Sequence, residues 1–158
     1  MDVNKARNYA LRLLELRGRS VKDIRDKLKA KTVSPQDSDL VIEYLLSLGL
    51  LDDEKFARDW IDSRRRLKPM GPARMRAELI KKGIARDIID QTLAEFVKDA
   101  DLESLALPLA ERKMRSWRGL EREKIIGRMT GFLGRRGFSS QTINNVLKKI
   151  LKGYVDLE

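Results

Sequence analysis

The residues of this chain best suited to act on another molecule are its cations. From Arg64 to Lys82 run eight basic side chains, Arg64, Arg65, Arg66, Lys68, Arg74, Arg76, Lys81 and Lys82, against one acidic residue, Glu78, a local surplus of +7 over 19 residues. From Arg112 to Arg136 there are nine basic and two acidic residues, again +7, and the run ends on Arg135 and Arg136. Guanidinium and ammonium groups at this density recognise phosphates and carboxylates. A run such as Arg64-Arg65-Arg66 is also what a solvated helix end carries, because cations complement the partial negative charge there. Two clusters in corresponding halves of successive units favour a basic stripe that could follow a phosphate backbone. The whole chain agrees: 34 Lys and Arg against 24 Asp and Glu leave a net charge of +10. Nucleic acid is the first candidate partner and an acidic protein surface the second.

Other chemistry is excluded by residue type. The chain has no Cys and no His. Disulfides, thiol nucleophiles, Cys/His zinc sites, histidine bases and Ser-His-Asp triads are therefore impossible. Asp52-Asp53-Glu54 with Asp59 is the one carboxylate group that suggests a divalent cation. It reads better as a helix start, where carboxylates accept free N–H bonds and meet the positive end of the helix dipole. No phosphate-binding G-x-x-x-x-G-K-[ST] loop occurs. Trp60 and Trp117 fall on apolar stripes and read as core; only if exposed could they stack on bases. These patterns predict no enzyme, no cofactor and no metal. The opening residues, MDVNKARNYALRL, carry a charge every few positions and lack the apolar region of a signal peptide. The longest apolar stretch, Leu40 to Leu51, contains Glu43 and is too short to span a bilayer. A cytoplasmic protein without membrane contact, acting as a monomer, is the expectation.

The elements that must position the cations are helical. Ala6, Tyr9, Ala10, Leu13 and Leu14 follow the spacing of an amphipathic helix. Ser20 to Asp23 reads as a capping box with Asp in place of Glu or Gln, before the stripe Val21, Ile24, Leu28. Ser34-Pro35 opens a third helix, and Gly49 closes it as a left-handed cap. Asp52-Asp53, Gly71-Pro72 and Ile84 begin the next three elements. Helices over Leu105 to Trp117, Leu120 to Arg136 and Ser139 to Leu151 complete the chain. Pro108 either starts the seventh helix or kinks it. No stretch alternates at period 2, so no sheet is expected.

A register relates the three sets. Ile24, Leu28, Val33, Ser38, Ile42 and Leu45 match Met75, Leu79, Ile84, Ile89, Leu93 and Phe96 at an offset of 51. Those match Met129, Leu133, Phe138, Ile143, Leu147 and Ile150 at an offset of 54, and Gly83 falls on Gly137. All but Ser38 and the smaller Val33 are large apolar residues. The reading is an all-α chain of three tandem three-helix repeats, residues 1–51, 52–98 and 99–158, forming an elongated, curved array. Gly127, Gly131 and Gly134 interrupt the eighth helix at roughly 1 kcal/mol each relative to Ala. Close approach of a neighbouring helix is the preferred explanation, and a soft unit that repositions on binding is the other.

Three-helix units invite a helix-turn-helix reading, in which the third helix enters the major groove. In the first unit that helix carries Asp37, Asp39 and Glu43 and no cation, and in the second Asp87, Asp90 and Glu95 against Arg86. Phosphates repel both. Only the last, with Gln141, Asn144, Asn145, Lys148 and Lys149, has groove-reading chemistry.

Gly49-Leu-Leu-Asp-Asp-Glu-Lys-Phe-Ala57, the basic run with Gly71-Pro72, and Arg76, Leu79 and Lys82-Gly83-Ile84 together resemble the signature of the RecX regulatory proteins. Arg17 to Leu28 resembles that family's N-terminal repeat, and Leu133-Gly-Arg-Arg-Gly-Phe-Ser139 its C-terminal one. Thr32-Val33 stands where the family usually has Gly before an aromatic residue. The resemblance implies a bacterial cytoplasmic modulator of the RecA recombinase, built from three tandem three-helix repeats. Such a protein lies in the helical groove of the RecA–single-stranded DNA filament. There it inhibits ATP hydrolysis, strand exchange and co-protease activity, and through them recombination, DNA repair and the SOS response. The rival readings are a basic protein that binds or organises nucleic acid directly, and a helical adaptor for an acidic protein surface.

Overall fold

The helices begin where their caps are. Asp2, Ser20, Ser34 and Asp101 accept from the amides of Lys5, Asp23, Asp37 and Ser104 at 2.9–3.1 Å, and Asp52 does the same for Lys55. Pro35 and Pro72 occupy first-turn positions where a missing N–H costs nothing. The computed structural model describes residues 1–155. Among them lie nine helices and no strand: α1 (Val3–Leu16), α2 (Val21–Ala30), α3 (Pro35–Ser47), α4 (Asp53–Leu67), α5 (Pro72–Lys81), α6 (Arg86–Asp99), α7 (Leu102–Ser116), α8 (Arg122–Arg135) and α9 (Ser140–Val155). They form three successive three-helix repeats; the last three residues assigned to the third lie outside the described ones.

The register holds in the packing. Seventeen of its eighteen positions are buried, Ser38 included, and only Ile150 is half-exposed, with Leu151 buried one residue on. The chain divides into two compact bodies. The first is Met1–Trp60 with Leu79–Thr92; the second is Ile61–Glu78 with the chain from Leu93 on. Helices α4, α5 and α6 therefore each contribute to both. In the first body α1, α2 and α3 pack on one another around Ala10, Ile24, Leu28, Val41 and Leu45. In the second α7, α8 and α9 do so around Ala106, Ile125, Met129, Leu133 and Val146.

The second helix of every repeat ends in one way. The amides of Val33, Ile84 and Phe138 each donate to the carbonyl five residues back, of Leu28, Leu79 and Leu133, at 3.1 Å. This closure needs a left-handed residue just before the donor. Gly83 (φ 75) and Gly137 (φ 90) supply it cheaply; Thr32 adopts φ 58 as a β-branched residue.

Several local expectations are corrected. The Ser20 hydroxyl caps α2, but the Asp23 carboxylate does not complete the box; it holds Arg19 at 2.7 Å. Helix α7 begins at Leu102, because Asp101 caps it, so Pro108 lies in its interior. Trp60 is half-exposed, stacked on Phe56 at 5.7 Å with the Lys82 ammonium 4.9 Å from its ring centre. Trp117, at the C-terminal cap of α7, packs against the core of the third repeat as expected but stays half-exposed. No neighbouring helix explains the α8 glycines: a Cβ at Gly127 or Gly134 would meet open space, and one at Gly131 only the Arg135 side chain.

Candidate functional site

The second body joins the two basic clusters through a backbone contact. The turn from α4 to α5 lies on the C-terminal end of α8. The Gly71 amide donates to the Arg136 carbonyl at 2.8 Å and the Ala73 amide to the Gly137 carbonyl at 3.2 Å. Neither glycine has room for a side chain. A Cβ at Gly71 would sit 2.2 Å from the Gly137 carbonyl oxygen, and one at Gly137 2.4 Å from the Arg74 amide nitrogen. The Arg74 guanidinium reaches the Arg135 carbonyl at 3.5 Å, where a cation complements the end of the helix dipole. Residues 61 apart in sequence thereby share one surface.

The individual cations differ. Arg65, Arg66, Lys68 and Arg135 are exposed, whereas Arg64, Arg74, Arg76 and Arg136 are half-buried. Arg64 binds Glu78 at 2.9 Å, so the single carboxylate of the run is engaged from within it. Arg66 pairs with Asp62 at 3.2 Å, a solvent-exposed contact of little energy. The Arg136 guanidinium lies 5.5 Å from the Phe132 ring centre. Leu67, between Arg66 and Lys68, is 76% exposed and places an apolar point among the charges.

Lys81 and Lys82 belong to the first body, where the pattern recurs with other partners. They line a cleft of about 220 Å³ with Ser20, Lys22, Asp23 and Asp26. A Cβ at Gly83 would lie 2.4 Å from the Lys22 side chain, so this turn too is held close. Arg17 and Arg19 line a smaller cleft with Lys82 and Trp60. Arg17, Arg19 and Lys22 were not singled out from sequence, although the register carried the signal: Arg17 falls on Lys68 at the offset of 51, and Lys81 and Lys82 fall on Arg135 and Arg136 at 54. Leu16, corresponding to Leu67, is 79% exposed.

The acidic residues have local work. Burial pushes the Asp23 carboxyl up, but the Arg19 hydrogen bond and charge, with Lys82 and Lys27, outweigh it, and the group lies below its ordinary value. Burial raises Asp53, against the Val21 amide that donates to it at 3.0 Å, and the Asp52 charge raises it further. Asp59 holds Lys55 at 2.6 Å. Asp52 and Asp53 thus act on amides and Asp59 on an ammonium, and no group of three or more possible ligand residues is placed to hold a metal among the described residues. No described helix is long and apolar enough to cross a membrane.

Family models for the first, second and third three-helix domains of RecX match residues 6–45, 52–93 and 101–147. The chain is 39% identical over 150 residues to the regulatory protein RecX of Prosthecochloris aestuarii, covering 95% of this chain and 96% of that one. It is 37% identical over 146 residues to that of Pelodictyon phaeoclathratiforme, covering 92% and 89%. Its fold is similar to the crystal structure of RecX from Lactobacillus salivarius, with a TM-score of 0.84 at 23% identity, covering 94% and 96%. It is also similar to a crystal structure of a regulatory protein RecX, with a TM-score of 0.83 at 26% identity, covering 91% and 70%.

Proposed function

This chain belongs to the RecX family of regulatory proteins, and from that premise we propose that it binds the RecA recombinase on single-stranded DNA and restrains it. In this reading it lies in the groove of the filament as a cytoplasmic monomer. It lowers ATP hydrolysis, strand exchange and co-protease activity by binding rather than by catalysis. One observation supports the choice of surface: the α4–α5 turn bonded to the end of α8 brings Arg74 to Arg135 and Arg136, next in the chain to the exposed Arg65 and Lys68, while Glu78 is occupied by Arg64. Such a surface meets DNA phosphates or the carboxylates of a partner, and Leu67 adds an apolar contact. Lys81 and Lys82 belong to the same reading through the first body.

The test is RecA ATPase on single-stranded DNA with this protein titrated in. Arg65→Glu with Lys68→Glu should raise the concentration for half-inhibition roughly tenfold, about 1.4 kcal/mol of binding, with the fold intact because both positions are exposed. Added salt should weaken inhibition as counterions cease to be released. Asp37→Ala and Glu43→Ala should change little. Loss of inhibition in the Asp37 and Glu43 variants, with the Arg65/Lys68 variant active, overturns the assignment of this surface. The net charge of +10 favours a second reading, a basic protein acting on DNA directly. Tight DNA binding with no effect on RecA ATPase would select it.

A further inference from the structure

Helices α8 and α9 border an open groove of about 590 Å³ that the basic stripe does not use. That volume is in the range of small-ligand sites. Its floor is apolar: Leu147 and Leu151 are each 6% exposed, and Ile126 stands beside them half-exposed. Its rim is cationic. Arg122 comes from the start of α8, and Lys148 and Lys152, one helical turn apart, from α9. All three are exposed, and among the described residues none forms an ion pair. Lys149 also lines the groove, but Glu103 holds it at 2.9 Å and takes the Asn145 amide at 2.6 Å, so both are tied toward α7. The Asn144 side chain is exposed on the same wall, and among the described residues no carboxylate borders the groove.

We propose that this groove holds single-stranded nucleic acid. One base lies with its face on Ile126, Leu147 and Leu151. The Asn144 amide, a donor and acceptor side by side, meets the base edge, and Arg122, Lys148 and Lys152 take the flanking phosphates. Each lining group has a counterpart in a nucleotide unit: apolar surface for the ring, an amide for the edge, cations for the backbone. Duplex is excluded by shape, since stacked and paired bases cannot present a face to a concave floor. An acidic peptide would satisfy the rim but leave the amide without a specific role. Composition points the same way. The third helices of the other repeats carry three or more carboxylates each, whereas α9 carries none between Ser140 and Val155. The site lies wholly in α8 and α9 and requires neither RecA nor the α4–α5 turn.

The experiment is an NMR titration of the full chain with an oligothymidylate, RecA absent, beside fluorescence anisotropy of the labelled strand. Shifts should concentrate on the Ile126 and Leu147 methyls and the Asn144 side-chain amide. Lys148→Glu with Lys152→Glu should weaken the strand roughly tenfold and flatten the log–log salt dependence by about 1.4, at about 0.7 per phosphate contact. The matched duplex should leave those methyls unmoved. Arg65→Glu with Lys68→Glu should leave the α8–α9 shifts in place, so loss of this site and loss of RecA inhibition are read separately. Shifts that bypass α8 and α9, a Lys148/Lys152 variant that binds as the wild type does, or a polyglutamate peptide giving the same shifts with equal affinity would each overturn the proposal.

Discussion

Gly71→Ala alters no charge, yet it should damage both stability and the basic surface. The added Cβ would stand 2.2 Å from the Gly137 carbonyl oxygen, 2.3 Å from its carbon and 2.5 Å from the Phe138 nitrogen. These are backbone atoms, which cannot swing away. The α4–α5 turn must retreat by about 1 Å to restore ordinary contact. That stretches the Gly71–Arg136 bond from 2.8 Å beyond hydrogen-bonding range and strains the 3.2 Å Ala73–Gly137 bond. Two bonds at about 0.5–1.5 kcal/mol each, with about 1–3 kcal/mol for overpacking, give a loss of roughly 2–6 kcal/mol. With a urea slope of about 2 kcal/mol per molar, the midpoint should fall by roughly 1–3 M. Gly83→Ala is the comparison. There the new Cβ meets Lys22 methylenes, which can move, and the cost is mainly that of φ 75, about 1 kcal/mol. RecA ATPase inhibition should weaken in Gly71→Ala because the turn no longer holds Arg74 against α8. A Gly71→Ala chain with the wild-type midpoint, or one no less stable than Gly83→Ala, refutes the close approach.

Thr32→Gly should stabilise the chain by roughly 0.5–1 kcal/mol. It relieves about 1–2 kcal/mol of left-handed strain and returns about 0.4–1 kcal/mol through the freer unfolded chain; a lower urea midpoint would contradict the strain at φ 58. Gly127→Ala and Gly134→Ala, both at open positions, should each stabilise α8 by roughly 1 kcal/mol. Slower amide exchange in α8 is the readout, and unchanged exchange would count against a helix softened by its glycines. Asp23 titrates below its ordinary value of 3.8. Its ionised form therefore adds stability that is present above the unfolded pKa, about 3.9, and lost as pH falls through the lower folded one. A carboxyl titration by NMR should show that pKa rise in Arg19→Ala, and an unmoved pKa would remove Arg19 as the cause.

Periodicity and local chemistry determined the helices of this protein and the face each one buries. The register alone places seventeen core positions because burial repeats with the helical turn, and that depends on sequence. Caps at Ser34, Asp52 and Gly49 were legible for the same reason: the partner of each group is three to five residues away. The resemblance in residues 49–84 supplied the family and, through it, the RecA reading proposed above; no count of charges contains that information. Tertiary structure decided what depends on contacts distant in the chain. Gly71 reads as a helix start until Gly137 is found against it, and Arg135 as a helix end until Arg74 reaches its carbonyl. Arg17 and Lys22 look like isolated surface cations until Gly83 and Lys82 close on them. Asp23 reads as half of a capping box because the local spacing allows it, but Arg19 bonds its carboxylate more strongly than a backbone amide would. Thr32 departs from the expected glycine, yet its turn forms unchanged, because burial of Leu28 and Val33 and the bond between them outweigh the cost of one left-handed residue.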